Sequence, residues 1–73
     1  MKLYKKNKKD FVRVDDYSEV KVGTIIKVYS EKSEKFINKI PYFVSSILGD
    51  NITLDSDAKK LNFNISTETL SLK

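Results

Sequence analysis

Residues 42–54 read Tyr42-Phe43-Val44-Ser45-Ser46-Ile47-Leu48-Gly49-Asp50-Asn51-Ile52-Thr53-Leu54, and this stretch decides the fold class. Two runs rich in aromatic and β-branched residues flank a Gly-Asp-Asn segment, which predicts a β-hairpin. Two registers fit. A two-residue Gly49-Asp50 turn pairs Ile47 with Ile52 and puts Phe43, Ser45, Ile47, Ile52 and Leu54 on one face. A three-residue loop with Asn51 left-handed groups Val44, Ser46, Leu48, Ile52 and Leu54 instead. Side chains alternate with a period of two, so a one-residue slip exchanges the faces, and the sequence leaves both open.

Working outward, Pro41 removes a ladder donor and belongs at the start of the strand or on an edge. Upstream, Val20–Tyr29 reads VKVGTIIKVY, a β-branched run with Val20, Val22, Thr24, Ile26 and Val28 on one face. Gly23 within it predicts a bulge or sharp bend. Residues 30–39, SEKSEKFINK, are dominated by charge, with Phe36 and Ile37 as the apolar exceptions, and read as a loop or one short helical turn. Downstream, Asp55-Ser56-Asp57 is a turn cluster. Leu61, Phe63 and Ile65 then alternate against Asn62 and Asn64, as in a half-buried strand. Ser66–Thr69 read as a capped turn, and Leu70 and Leu72 close the pattern. Phe11–Val14 is a short β-prone run that Asp15-Asp16 breaks.

The layout of residues 20–72 is a strand with a glycine bend, a loop, a long hairpin, another strand and a terminal turn. It resembles the SH3-like barrels, which include KOW- and Tudor-type modules. The resemblance implies an all-β fold, a small antiparallel barrel of about five short strands. An OB-type barrel is the nearest alternative but usually needs more chain. The expected core is Val20, Val22, Ile26, Val28, Phe43, Ile47, Ile52, Leu54, Leu61, Phe63 and Ile65.

The chain has 73 residues, 40% hydrophobic and 33% charged, which predicts one small globular domain. It has no Cys and no His, so thiolate chemistry, disulfides and the usual general base are excluded. The Asp50, Asp55 and Asp57 group fails as a calcium loop, because the sixth and twelfth positions counted from Asp55 are Lys60 and Ser66 rather than Gly and Glu. Ser45 and Ser46 lie in no nucleophile motif, and two glycines cannot build a phosphate-cradling loop. A non-enzymatic binding module without metal or cofactor is expected.

The net charge of +4 sits at one end. Residues 1–10 hold five lysines, Lys2, Lys5, Lys6, Lys8 and Lys9, against Asp10, and residues 11–73 balance nine bases with nine acids. This predicts a basic N-terminal arm, residues 1–10, on a neutral barrel domain, residues 11–73. The basic start is followed by no long apolar segment, which predicts a cytoplasmic protein with no membrane span. Thirteen of the fourteen bases are Lys, unlike a sequence-specific DNA reader rich in Arg. The Lys-, Ile- and Asn-rich composition fits AT-rich coding, as in a low-GC bacterium, its phages or its mobile elements.

Two functional readings follow. The first is docking on a larger cellular protein, as inhibitor or adaptor, or self-association, with Tyr29, Phe36 and Tyr42 as exposed anchors. The second is a nucleic-acid accessory without sequence preference. Here Lys2, Lys5, Lys6, Lys8 and Lys9 hold phosphates, and Tyr4 with Tyr29 or Tyr42 offers a stacking surface.

Overall fold

The computed structural model describes residues 1–73. It is all-β, with eight antiparallel strands and one three-residue 3₁₀ turn. The strands are β1 (Lys2–Asn7), β2 (Asp10–Arg13), β3 (Ile25–Ser30), β4 (Lys35–Phe36), β5 (Tyr42–Leu48), β6 (Asn51–Asp55), β7 (Lys60–Asn64) and β8 (Thr69–Leu72). They form one sheet in the order β2-β1-β3-β5-β6-β7-β8, with β4 also paired to β3. A flat sheet of seven neighbours would be about 29 Å wide and ~10 Å thick. The molecule instead measures 27 × 26 × 26 Å, so the sheet is strongly curled. Curling brings Leu3 of β1 and Phe63 of β7 into one core, although no ladder joins the ends and the sheet stays open. The expected closed barrel of about five strands is therefore corrected to an open sheet of eight.

The largest correction concerns the N-terminus. Residues 2–7 are not an arm. They form β1, an interior strand between β2 and β3, with Leu3 fully buried opposite Val28. A boundary at residue 10 falls inside the β1–β2 hairpin. Lys2 and Tyr4 flank the buried Leu3, and the charge run conceals that alternation.

The long hairpin combines both expected registers. The Gly49-Asp50 turn pairs Ile47 with Ile52, as the two-residue loop requires, and Gly49 takes a φ of 58° that favours glycine. A bulge between Val44 and Ser46 then shifts the pairing, so Val44 meets Leu54 and Phe43 meets Asp55. One extra residue in β5 reverses the parity of the strand. Tyr42 and Val44 are thereby turned into the core, and Phe43, expected inside, is turned out at 43% exposure.

Ile26, Val28, Val20, Ile52, Leu54, Leu61 and Phe63 are buried as expected, and Ile65 packs against them. Ile47 lies toward the hairpin tip, where cover runs out, and is 36% exposed. Val22 is 66% exposed because β3 begins only at Ile25. Val20–Thr24 instead leave the 3₁₀ turn Tyr17–Glu19, which Asp16 caps through the Ser18 amide, and bend at Gly23 with φ 94°. Residues 31–41 hold no helical turn, since Lys35 and Phe36 pair with β3 as β4.

Two side chains hold this arrangement where strands do not. Between β4 and β5, the edge of β3 has no strand partner at Val28. Asn38 fills the gap: its Oδ1 accepts from the Val28 amide at 2.9 Å, and its Nδ2 donates to Ile40 O at 3.1 Å and Ile26 O at 3.4 Å. Glu68, left-handed at φ 54° in the β7–β8 turn, bridges the curled ends. Lys2 Nζ donates to both its carboxylate oxygens at 2.9 and 2.8 Å, and the Tyr17 hydroxyl donates at 2.7 Å. The Lys2 bonds and then the Tyr17 bond hold the Glu68 carboxyl below the usual carboxylate range. Burial, and then the bond to Glu68, push the Tyr17 hydroxyl above the usual phenol value.

Candidate functional site

Directly paired antiparallel residues share a sheet face, so the registers define what lies opposite the core. Tyr4 pairs with Lys27 on one side and Arg13 on the other, Lys6 with Phe11, Tyr29 with Phe36, and Ile25 with Phe43. The outer face over β2, β1, β3 and β4 is therefore aromatic and basic. Tyr4, Tyr29 and Phe36, from three strands, form one cluster. Ring centroids are 5.9 Å apart for Tyr4–Tyr29, 5.0 Å for Tyr4–Phe36 and 5.3 Å for Tyr29–Phe36. Phe36 pairs edge-on with both tyrosines and is 40% exposed. Lys27 sits among these rings, its ammonium 4.8 Å from the Phe11 centroid and 5.7 Å from that of Phe36.

Charge continues from this cluster to the β1–β2 turn. A groove of about 530 Å³ there is lined by Lys5, Lys6 and Lys8 with Glu19, Gly23 and Thr24. Lys5 meets Glu19 at 3.5 Å. Lys6, Lys8, Lys9 and Lys27 have no acid within ion-pair distance. Lys2 differs, being held by Glu68. The five N-terminal lysines thus divide into three free ones, Lys6, Lys8 and Lys9, and two that carry intramolecular pairs.

Of the expected protein anchors, Tyr29 and Phe36 come together on the outer face. Tyr42 does not join them. It pairs with Ile26 on the core face, is 6% exposed and offers no ring to a macromolecular partner. Tyr42 also drops out of the stacking surface, leaving the Tyr4–Tyr29 pairing. Phe11, Arg13 and Lys27 were not singled out in the sequence. The signal for Lys27 lies in Ile25-Ile26-Lys27-Val28-Tyr29, where alternation places it on the face of Tyr29.

Acidic residues make no metal site, since no three of them converge. Asp55 lies 3.7 Å from Lys60 across the β6–β7 pair. A second hollow of about 330 Å³ lies between Asn38–Ile40 and Ser56–Lys59. No helix is long and apolar enough to cross a membrane. These features define an all-β protein with an open curled sheet and an outer face that combines rings with unpaired lysines. No protein-family model, curated protein or solved structure matches the chain.

Proposed function

We propose that the protein is a non-enzymatic nucleic-acid-binding accessory that uses its outer sheet face without choosing a sequence. The observation that supports this most is the juxtaposition of the Tyr4–Tyr29–Phe36 cluster with unpaired Lys6, Lys8, Lys9 and Lys27. Exposed rings alone suit many partners. Rings with an unpaired cation among them, and further unpaired lysines at the β1–β2 turn, suit a polyanion that also carries planar groups. A lone arginine on the face, Arg13, leaves little for base-edge readout, in keeping with binding that ignores sequence. Affinity for labelled oligonucleotides across a salt series tests the proposal. Four free lysines engaging phosphates give a slope of log K against log salt of about −3 on single strands, at ~0.7 per contact. A flat salt response refutes it.

Docking on a protein, or on a second copy of the chain, draws on exposed apolar side chains near the β4–β5 connection. Phe43, opposite Ile25, is exposed, as are Ile37 and Ile40, the last at 77%. On this second reading Phe43→Ser abolishes the complex, and Ile40→Ser, away from the lysine groove, weakens it while leaving oligonucleotide affinity unchanged. Sedimentation separates the second copy from another partner. A monomer–dimer equilibrium that Phe43→Ser removes supports self-association, and its absence excludes it.

A further inference from the structure

We infer that the outer face selects single-stranded over duplex nucleic acid, with bases on the aromatic cluster and the backbone led into the lysine groove at the β1–β2 turn. This rests on the nucleic-acid reading and goes one step further, to the form of the strand.

The first argument is where the rings are. Tyr4, Tyr29 and Phe36 contact one another across three hydrogen-bonded strands, so they lie on a continuous sheet surface. In a duplex the base faces are consumed by stacking, and only edges and backbone are presented. An unpaired strand can splay its bases onto rings, and every base has a face, so the gain is indifferent to sequence. The second argument is where the charge is. Lys27 occupies the middle of the patch between Phe11 and Phe36, while Lys6 and Lys8 lie toward one end, on the groove. A duplex meets a protein through two phosphate rows. Here the lysines without acid partners follow one line, from Lys27 among the rings to Lys6 and Lys8 at the β1–β2 turn. Glu19 gives the groove a handle for a test: it is the sole acid in the lining and takes Lys5 at 3.5 Å, so it opposes a phosphate entering there and its neutralisation should favour one.

The test uses the intact protein and four labelled probes of about 12 nucleotides: a mixed-sequence single strand, its duplex, a single strand of different sequence, and an abasic strand with the same phosphates. The two base-bearing single strands are expected to bind alike, and about tenfold or more tighter than the duplex or the abasic strand. Phe36→Ala is expected to bring the single strand down toward the abasic level and leave the abasic affinity unchanged, with Phe36→Tyr restoring the difference. Phe36 lies on a two-residue strand and is partly exposed, and a circular dichroism melt of each variant confirms the fold. Glu19→Gln is expected to tighten all probes about two- to threefold and steepen the salt slope by about 0.7.

Equal affinity for single strand, duplex and abasic strand, unmoved by Phe36→Ala, would overturn the single-strand inference while leaving a general polyanion surface. Weakening by Glu19→Gln would overturn the assignment of the groove. Absence of binding to every probe at low salt would overturn the nucleic-acid reading itself, and this inference with it.

Discussion

Replacing Asn38 tests whether one side chain completes the sheet. Val28 is fully buried, and its amide donates at 2.9 Å to Asn38 Oδ1. Asn38→Ala removes that acceptor and leaves the amide no route to water. An unsatisfied buried donor costs about 1–3 kcal/mol. The Nδ2 contact to Ile40 O at 3.1 Å is also lost, and the longer one to Ile26 O at 3.4 Å adds little. A total of about 2–3 kcal/mol is large beside the ~4–11 kcal/mol available to a chain of this length. At ~4–8 °C per kcal/mol for a domain of this size, the melting temperature should fall by roughly 8–24 °C. Asn38→Asp keeps the acceptor but turns an oxygen toward Ile40 O and places a charge in the core. It should be the more damaging change at neutral pH. Burial raises the pKa of such a carboxyl, so the folded state favours its protonated form and the loss should shrink as pH falls toward 5. Urea titrations followed by far-ultraviolet circular dichroism read both effects. An Asn38→Ala variant within 0.5 kcal/mol of the parent would refute the role given to Asn38. Because Asn38 lies two residues beyond Phe36, the same variant should also weaken oligonucleotide binding by loosening β4.

Three further outcomes are expected. Leu3→Ala should cost about 2–5 kcal/mol, and removal of residues 1–10 should abolish the cooperative unfolding transition, since β1 is an interior strand; an intact transition would restore the arm. Glu68→Gln should flatten the acid limb of the stability profile. The depressed Glu68 pKa contributes stability above the ordinary Glu value near 4.3, lost as pH falls through the folded value, so parent and variant should differ at pH 7 and draw together as the medium is made more acidic than that value, read in urea midpoints. Lys8 stands left-handed at φ 59° in the β1–β2 turn, so Lys8→Gly should leave stability equal or up to about 1 kcal/mol higher, while oligonucleotide affinity at low salt drops about two- to threefold.

The fold class was legible because β-prone composition in Tyr42–Leu48 and Ile52–Leu54, and alternation in Leu61–Ile65, are local properties. Strand count and closure were not. Lys2–Asn7 contains one buried residue, Leu3, and a hydrophobic pattern of one has no period. The bulge in β5 was hidden for a different reason. Val44-Ser45-Ser46 offers no Gly or Pro to mark it, and Phe43 inside is as good a local pattern as Phe43 outside. The candidate site was legible in parts. Tyr4, Tyr29 and Phe36 stood out as aromatics near charge, yet they are distant in sequence and only the β1–β3–β4 registers join them. The net charge of the first ten residues was misleading about form. The same lysines that suggest a tail serve as the solvent-facing residues of a strand and its turn.

The most direct measurement is an amide chemical-shift titration of the isotopically labelled protein with a short single strand. Binding through the outer face should shift the amides of Tyr4, Lys6, Phe11, Lys27, Tyr29 and Phe36 in a saturable way, and leave Ile52–Leu54 and Leu61–Asn64 unmoved. Shifts confined to β6–β8, or none at protein excess and low salt, would contradict the assignment of this face.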